Sequence, residues 1–267
     1  MSSPYAQLFR SQLKLDIMSI LLHGDKKLSA LREELASSGS TILHALADLE
    51  ALRFTQQVGR HYRLTPLGVI EARLIEEVSS TVRVLEKFKD FWLGHDVAAI
   101  PSSLLRRIGA LEESTLVQND SMELDRVHST FQQILLTSMR VRGVSPIFHP
   151  DFIGAFQHLL GGGATVELIL TRGVLDRTVS LADTGQFVGY IEEDRLRIFL
   201  ADGLRVALTV TENGFSMGLF SVDGEYDYGR DLVSKSPEAI GWGEELFQHF
   251  LGGARRLELG DLGIGGR

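Results

Sequence analysis

The first 70 residues place apolar side chains at the spacing of short helices. Within residues 5–23 the apolar positions recur every three or four residues, which predicts a helix with one buried face; they are Phe9, Leu13, Ile17, Ile20 and Leu21. A second short helix with Ser29 as its N-cap follows, and a third runs from about Ser40 to Leu52. The small residues 36–39 predict the turn between them.

Two β-prone runs come next, Phe54–Val58 and His61–Leu64, on either side of Gly59-Arg60. A glycine between two such runs predicts a β-hairpin. Thr65 and Pro66 then begin a further helix that is expected to reach residue 91, because proline is well tolerated in a first helical turn. The apolar seam predicted for this helix consists of Ile75, Val78, Val82 and Leu85.

After residue 140 the apolar positions form short runs of strand length. Five strands are expected: Val141–Ile147, Val166–Thr171, Arg195–Leu200, Arg205–Thr211 and Phe215–Ser221. Helices are predicted at Met122–Met139, Pro150–Leu160 and Pro237–Phe250. Since Pro150–Leu160 lies between the first two strands, the order strand, helix, strand indicates a βαβ unit in a mixed α/β domain.

These elements predict an α+β protein with four segments. A winged helix-turn-helix, made of three helices and a hairpin wing, occupies residues 1–70 and is expected to bind DNA. A linker helix for dimerisation and a connector occupy residues 71–121. A mixed α/β, sensor-like domain spans residues 122–255, and residues 256–267 are expected to be a flexible tail.

Composition and charge narrow the classes of function. The 267 residues include no cysteine, which excludes disulfides and thiolate metal sites. The chain lacks both a signal segment and an apolar run of ~20 residues, so a cytoplasmic protein that does not span the membrane is expected. The net charge of −8 is uneven, because residues 1–70 carry +2 and the remainder −10. The charge of residues 1–70 therefore permits binding to the phosphate backbone of DNA, whereas the acidic remainder repels phosphate.

Polar side chains at the start of the third helix and in the hairpin are candidates for contact with double-stranded DNA. The second helix of a helix-turn-helix lies in the major groove, and its first turns face base edges, while a wing reaches the backbone or the minor groove. The predicted DNA-binding residues are Arg32, Ser38, Ser40, Thr41, His44, Arg60, His61 and Arg63. The same three-helix arrangement also serves as a protein-docking module, so a non-DNA adaptor remains the alternative.

The chain beyond residue 121 offers no assembled catalytic motif. Gly161–Gly163 follows a predicted helix and lacks the Gly-Lys-Ser/Thr ending of a phosphate loop, which indicates a helix stop. His95-Asp96 and His149-Asp151 have metal-binding side chains without a fixed motif, so no metal and no cofactor are predicted. The acidic positions Asp223, Glu225, Asp227 and Asp231 fail the order of a calcium loop and indicate solvated carboxylates at a hairpin.

The ordered string Thr41–Leu52, with the wing string Gly59–Gly68, resembles the ArsR-type winged helices of bacteria and archaea. The second half is similar to a group of archaeal predicted methanogenesis-type regulators. This resemblance rests on Phe91–Pro101, Gly143–Pro150, Leu219–Asp227 and Trp242–Phe247. It implies a transcriptional regulator whose effector is generally unidentified.

The region 122–170 also resembles the phospholipase-D-like sensor domain of sugar-responsive archaeal regulators. The hydrolase motif of that fold needs a His followed two residues later by Lys, and no His-x-Lys occurs in the chain. We therefore expect a non-enzymatic homodimer that binds DNA through its first domain and an unknown small-molecule effector through its second. His149 and Trp242 are the candidate effector-pocket residues.

Overall fold

A computed structural model describes residue 8, residues 10–182 and 184–258, and residue 260. The chain divides into two compact units, residues 1–82 and 83–267. The predicted start of the first helix at residue 5 and most of the predicted tail lie outside the described residues.

The first unit is a winged helix-turn-helix. Its elements are α1 (Gln12–Leu22), β1 (Lys26–Lys27), α2 (Leu28–Leu35), α3 (Gly39–Ala51), β2 (Thr55–Val58), β3 (His61–Leu64) and the greater part of α4 (Pro66–Lys87). Its core forms where the predicted apolar faces meet, and Ile17, Leu31 and Ile42 are fully buried in it. Ser29 is the second residue of α2 and not its N-cap, because the backbone turns into the helix at Lys27.

The wing is a three-stranded antiparallel sheet in the order β1-β3-β2. Gly59 turns the hairpin with a φ of +62°, a conformation that favours glycine. Strand β1 was missed by the sequence analysis because a two-residue strand has no periodicity to detect; Lys26 lies opposite Tyr62 in β3.

The second unit contains one eight-stranded mixed sheet in the order β11-β7-β6-β5-β8-β9-β10-β4. Its strands are β4 (Thr115–Gln118), β5 (Arg140–Ser145), β6 (Thr165–Leu170), β7 (Leu196–Leu200), β8 (Val206–Thr211), β9 (Phe215–Leu219), β10 (Arg230–Ser234) and β11 (Arg255–Arg256). Strands β5, β6 and β7 are parallel, which confirms the βαβ unit, and the other pairs are antiparallel.

Helices cover both faces of this sheet. The helices are α5 (Lys89–Gly94), α6 (Ser102–Leu105), a 3-10 turn (Ile108–Leu111), α7 (Arg126–Leu136), α8 (Asp151–Gly161), α9 (Arg172–Leu181), α10 (Thr184–Glu192) and α11 (Pro237–Gly252). On one face, α11 packs with α5, α6 and the 3-10 turn in a core centred on Phe91, Phe215 and Phe247. On the other face, α7 to α10 pack around Leu135, Leu160 and Val166.

Two boundaries differ from the sequence-based ones. The predicted connector 71–121 is divided, because Phe91, Ile100 and Leu111 are buried in the core of the second unit and Thr115–Gln118 pairs with β10. The flexible tail was predicted from residue 256, yet Arg256 pairs with β7 and Leu257 is buried. None of the helices that the structure describes is both long and apolar enough to cross a membrane.

Candidate nucleic-acid interface and effector cavity

The start of α3 carries a cluster of exposed hydroxyl groups. Ser38 is the N-cap, and its Oγ accepts a hydrogen bond from the Thr41 backbone N–H at 3.2 Å. The same Oγ lies 2.9 Å from Ser40 Oγ and 2.7 Å from Thr41 Oγ1. His44 lies one turn further along with 82% of its side chain exposed. The opposite side of α3 is buried, so these polar side chains form the free face of the helix.

Arg32 lies beside this cluster although it belongs to α2. A Cβ atom at Gly39 would come within 3.3 Å of the Arg32 side chain, so the arginine passes close over the first residue of α3. The exposed N–H groups of a helix N-terminus and a nearby guanidinium both favour an anion. Arg32 and the N-terminus of α3 together form a surface that suits an anion.

The two wing arginines differ in their surroundings. Arg60 is exposed at the hairpin tip next to Gly59. Arg63 is half-buried, and its Nη2 donates to Asp25 Oδ2 in an ion pair. His61 is also half-buried and lies opposite Lys27 of β1. The wing therefore presents Arg60 more freely than Arg63.

An acidic side chain on α3 is neutralised within the first unit. Lys14 Nζ of α1 lies 2.7 Å from Asp48 Oδ2, and this hydrogen bond lowers the pKa of the Asp48 carboxyl. Lys26 pairs in the same way with Glu34. These pairs reduce the negative charge near α3.

The second unit contains a cavity of about 330 Å³ between the sheet and helices α7 to α10. Its walls are mostly apolar and include Phe131, Phe148, Phe152 and Phe156. A largely apolar cavity with a few polar groups is the usual form of a small-molecule site. His149, which the sequence singled out as a candidate effector-pocket residue, lines this cavity.

One end of the cavity is lined by a buried carboxyl group on β10. Asp231 is 7% exposed, and its Oδ2 accepts a hydrogen bond from Ser216 Oγ at 2.9 Å. Burial raises the pKa of this carboxyl to about 7, and the nearby Asp227 carboxylate adds to the shift. Tyr226, whose phenol pKa is also raised by burial, lines the same end.

A second polar group consists of His128 and His149, which line the cavity, and the neighbouring Asp151. His128 Nε2 lies 3.1 Å from Asp151 Oδ2, and the two imidazole rings are 4.2 Å apart. Candidate ligand atoms of the three residues lie within 4.8 Å of one another. Two imidazoles and a carboxylate suit zinc or a similar metal, but their hydrogen bonds with one another account for the cluster without an ion.

Trp242 and other residues that the sequence singled out have surroundings different from those expected. Trp242 does not line the cavity, because it is buried on the other face of the sheet, where its Nε1 donates to Leu104 O at 3.0 Å. His95 lies 3.1 Å from Asp227 Oδ2, and Asp96 accepts from Arg205 Nε at 3.1 Å. Asp231 had been interpreted as a solvated carboxylate and is instead buried.

The cavity residues that the sequence analysis missed had a detectable signal. Strands β8 and β9 alternate large apolar residues with small ones, and Ala207, Thr209, Ser216 and Gly218 all lie on the cavity side. Strict alternation marks the two faces of a strand. The small size of the residues on the cavity side was the signal in the sequence that this face of the sheet leaves space.

The sequence matches two domain families of one regulator. Residues 5–83 match the N-terminal domain, and residues 124–252 the middle domain, of the methanogenesis regulatory protein FilR1. The chain is 32% identical over 260 residues to the FilR1 protein of Methanothrix harundinacea (strain 6Ac). That match covers 94% of this chain and 57% of the relative, so the chain spans somewhat more than half of the relative's length.

Two solved structures are similar over most of the chain. The archaeal chromatin protein TrmBL2 has 15% identity and a TM-score of 0.45, covering 93% of this chain and 95% of its own. An IclR transcriptional regulator from Alicyclobacillus acidocaldarius has 12% identity and a TM-score of 0.26, covering 93% and 96%.

Proposed function

This chain belongs to the FilR1 family of methanogenesis regulatory proteins, and from that premise we propose that it is a DNA-binding transcriptional regulator. It acts in the cytoplasm as a homodimer, and a small molecule bound in the second unit tunes its affinity for DNA. The second unit binds this effector without chemical turnover.

The observation that carries DNA binding is the free polar face of α3. Ser40, Thr41 and His44 are exposed on the helix that a winged helix-turn-helix inserts into the major groove, where side chains of this size reach base edges. Arg32 and Arg60 lie where phosphate contacts are expected. The net charge of +2 on residues 1–70 supports the same partner.

An exposed apolar stripe on α4 supports the dimer. Its members are spaced three or four residues apart, which places them on one side of the helix; they are Leu67, Ile70, Leu74, Val78, Val82 and Leu85. A second copy of the same stripe would bury these side chains, and two winged helices would then read two half-sites. Ile75 was predicted to belong to this seam but is 2% exposed in the core of the first unit.

The experiment measures binding of the full chain to labelled duplexes from its own promoter regions by fluorescence anisotropy at 50 to 300 mM salt. We expect log K to fall linearly with log salt, because phosphate contacts release counterions. The triple variant Ser40→Ala, Thr41→Ala, His44→Ala should lose the preference for promoter over unrelated DNA and keep its salt dependence.

The matched control replaces an exposed polar residue of comparable size away from α3, Ser121→Ala in the second unit. This variant should bind like the wild type. Absence of binding at 50 mM salt would contradict the regulator and favour the protein-docking adaptor.

A further inference from the structure

The cavity exists because the sheet carries small residues on one face. Ala207 of β8 lies opposite Gly218 of β9. The registers of the neighbouring strands, continued by one residue, place Ser145 of β5 and Asp231 of β10 at the two ends of the same row. The adjacent row includes Gly143, Thr209 and Ser216. The residues between them, such as Leu208 and Met217, point to the other face and fill the core against α11. The small side chains therefore leave a trough that runs across the strands to Asp231.

The carboxyl group at the end of this trough is incompletely bonded. Asp231 Oδ1 is fully buried and accepts no hydrogen bond from the residues that the structure describes. It lies directly over Gly218, where a Cβ atom would be 2.5 Å from this oxygen and would also clash with Tyr226 Oη. A buried acceptor without a donor is costly, so its retention on a cavity wall indicates a ligand that supplies one.

The electrostatic character of the trough favours a positively charged ligand. Neither Lys nor Arg occurs among the described residues that line the cavity, whereas Asp125 and Asp231 do. Arg230, which precedes Asp231 in β10, has its Nε bonded to Asp227 Oδ2 at 2.6 Å. Tyr226 and Tyr228 stand edge to face at 4.8 Å beside Asp231 on the cavity lining. Aromatic rings beside a carboxylate are a common setting for organic ammonium groups.

We infer that the cavity binds an organic ammonium compound with an apolar body, its ammonium group donating to Asp231 Oδ1 and its body lying along the trough towards Phe131 and Phe148. Three strand spacings of ~4.8 Å separate β10 from β5, which allows a ligand about 14 Å long. The claim that this ligand is the effector of the regulator rests on the proposed function, whereas the claim that it binds in the cavity does not.

The test is calorimetric titration of the full chain with three probes that share one apolar body. They are 3-phenylpropylamine, 3-phenyl-1-propanol and 3-phenylpropionate, whose head groups are cationic, neutral and anionic. We expect the amine to bind the wild type at pH 8 about tenfold or more tightly than the alcohol, because hydrogen bonds to charged groups are the stronger ones. Asp231→Asn should reduce the affinity for the amine to that for the alcohol and leave the affinity for the alcohol unchanged.

Asp223→Asn is the matched control, since Asp223 is an exposed carboxylate of the neighbouring hairpin. It should bind all three probes like the wild type. Equal binding of amine and alcohol, preference for the propionate, or amine binding that survives Asp231→Asn would each overturn the inference.

A comparison of pH 6 with pH 8 adds a second readout, which is made first on the wild type. The amine needs ionised Asp231, whose pKa lies at about 7 in the free protein, so its association should be about tenfold weaker at pH 6 while that of the alcohol stays constant. Groups facing Asp231 are Ser216, Tyr226 and Asp227, and the segments across the cavity add Asp125, His128 and His149. These groups are unchanged in Asp231→Asn, in which the pH dependence should vanish. Persistence there would assign it to another group and overturn the inference.

The effector role is measured separately, as promoter affinity with and without the amine. If amine binding depends on Asp231 but leaves DNA affinity unchanged, the inferred ligand class is supported and the sensor role in the proposed function is contradicted. If the protein binds DNA but binds no amine, the inferred ligand class is contradicted and the proposed DNA-binding function is not.

Discussion

The wing arginines illustrate how residues of one type acquire different roles from their contacts. The sequence treats Arg60 and Arg63 alike, because both follow the hairpin glycine within the predicted wing. The structure pairs Arg63 with Asp25 and leaves Arg60 exposed at the tip. Such contacts between distant positions cannot be predicted from local spacing.

Arg60→Ala should therefore affect DNA binding more than Arg63→Ala. We expect the first variant to lower the slope of log K against log salt by about 0.9, the value of one phosphate contact, in all sequences alike. The second should change the slope by much less, because its guanidinium is already bound to a carboxylate. Anisotropy titrations at several salt concentrations measure both. Equal changes in slope would show that Arg63 leaves Asp25 to bind DNA.

Asp231 makes stability depend on pH in a defined direction. Its folded pKa of about 7 lies above the ordinary 3.8, so the folded state holds its proton longer than the unfolded chain. Its contribution to stability is full below pH 3.8 and is lost as the pH rises to about 7. The free energy of unfolding of the wild type, relative to Asp231→Asn, should fall by roughly 2–3 kcal/mol between pH 5 and pH 8.

Urea unfolding of both proteins at these two pH values measures the difference, with Asp223→Asn as the exposed control. A wild type and an Asp231→Asn variant with parallel pH profiles would mean that the carboxyl titrates normally.

At the scale of elements, segments with a clear apolar pattern could be predicted and segments without one could not. The apolar pattern predicted α3, the hairpin, β5 to β9 and α11 to within a few residues. It did not predict β4, β10 and β11, since each has at most two apolar residues of its own and is defined by its pairing partner. It also missed α9 and α10 because Gly173, Gly185 and Gly189 interrupt their apolar spacing.

The apolar stripe on α4 yields a prediction about assembly. Val78→Glu with Val82→Glu should convert a dimer to a monomer, because two carboxylates would be buried at the interface without partners. Size-exclusion chromatography with light scattering measures the mass. Ser80→Glu is the control, as 100° per residue places Ser80 on the opposite side of the helix from Val78. A double variant that stays dimeric would place the interface elsewhere.

At the scale of the whole molecule, the order of helices and strands was the feature of the sequence from which the two folds could be predicted. Three helices followed by a hairpin and then a βαβ unit sufficed to predict a winged helix with a mixed α/β domain. The cavity of the second unit was harder to predict, since it depends on the sizes of residues from six neighbouring strands. His149, which lines it, was singled out by its side-chain chemistry, whereas Asp231 required knowledge of its burial.

The central claim is that the chain recognises a DNA sequence as a dimer. Selection of fragmented genomic DNA by the immobilised full chain, followed by sequencing of the bound fragments, tests it directly. We predict an enriched motif with two-fold symmetry and half-site centres about 10–10.5 base pairs, or a multiple of that, apart. The claim would be contradicted if the wild type enriched no motif, or only motifs that the Ser40→Ala, Thr41→Ala, His44→Ala variant also enriches.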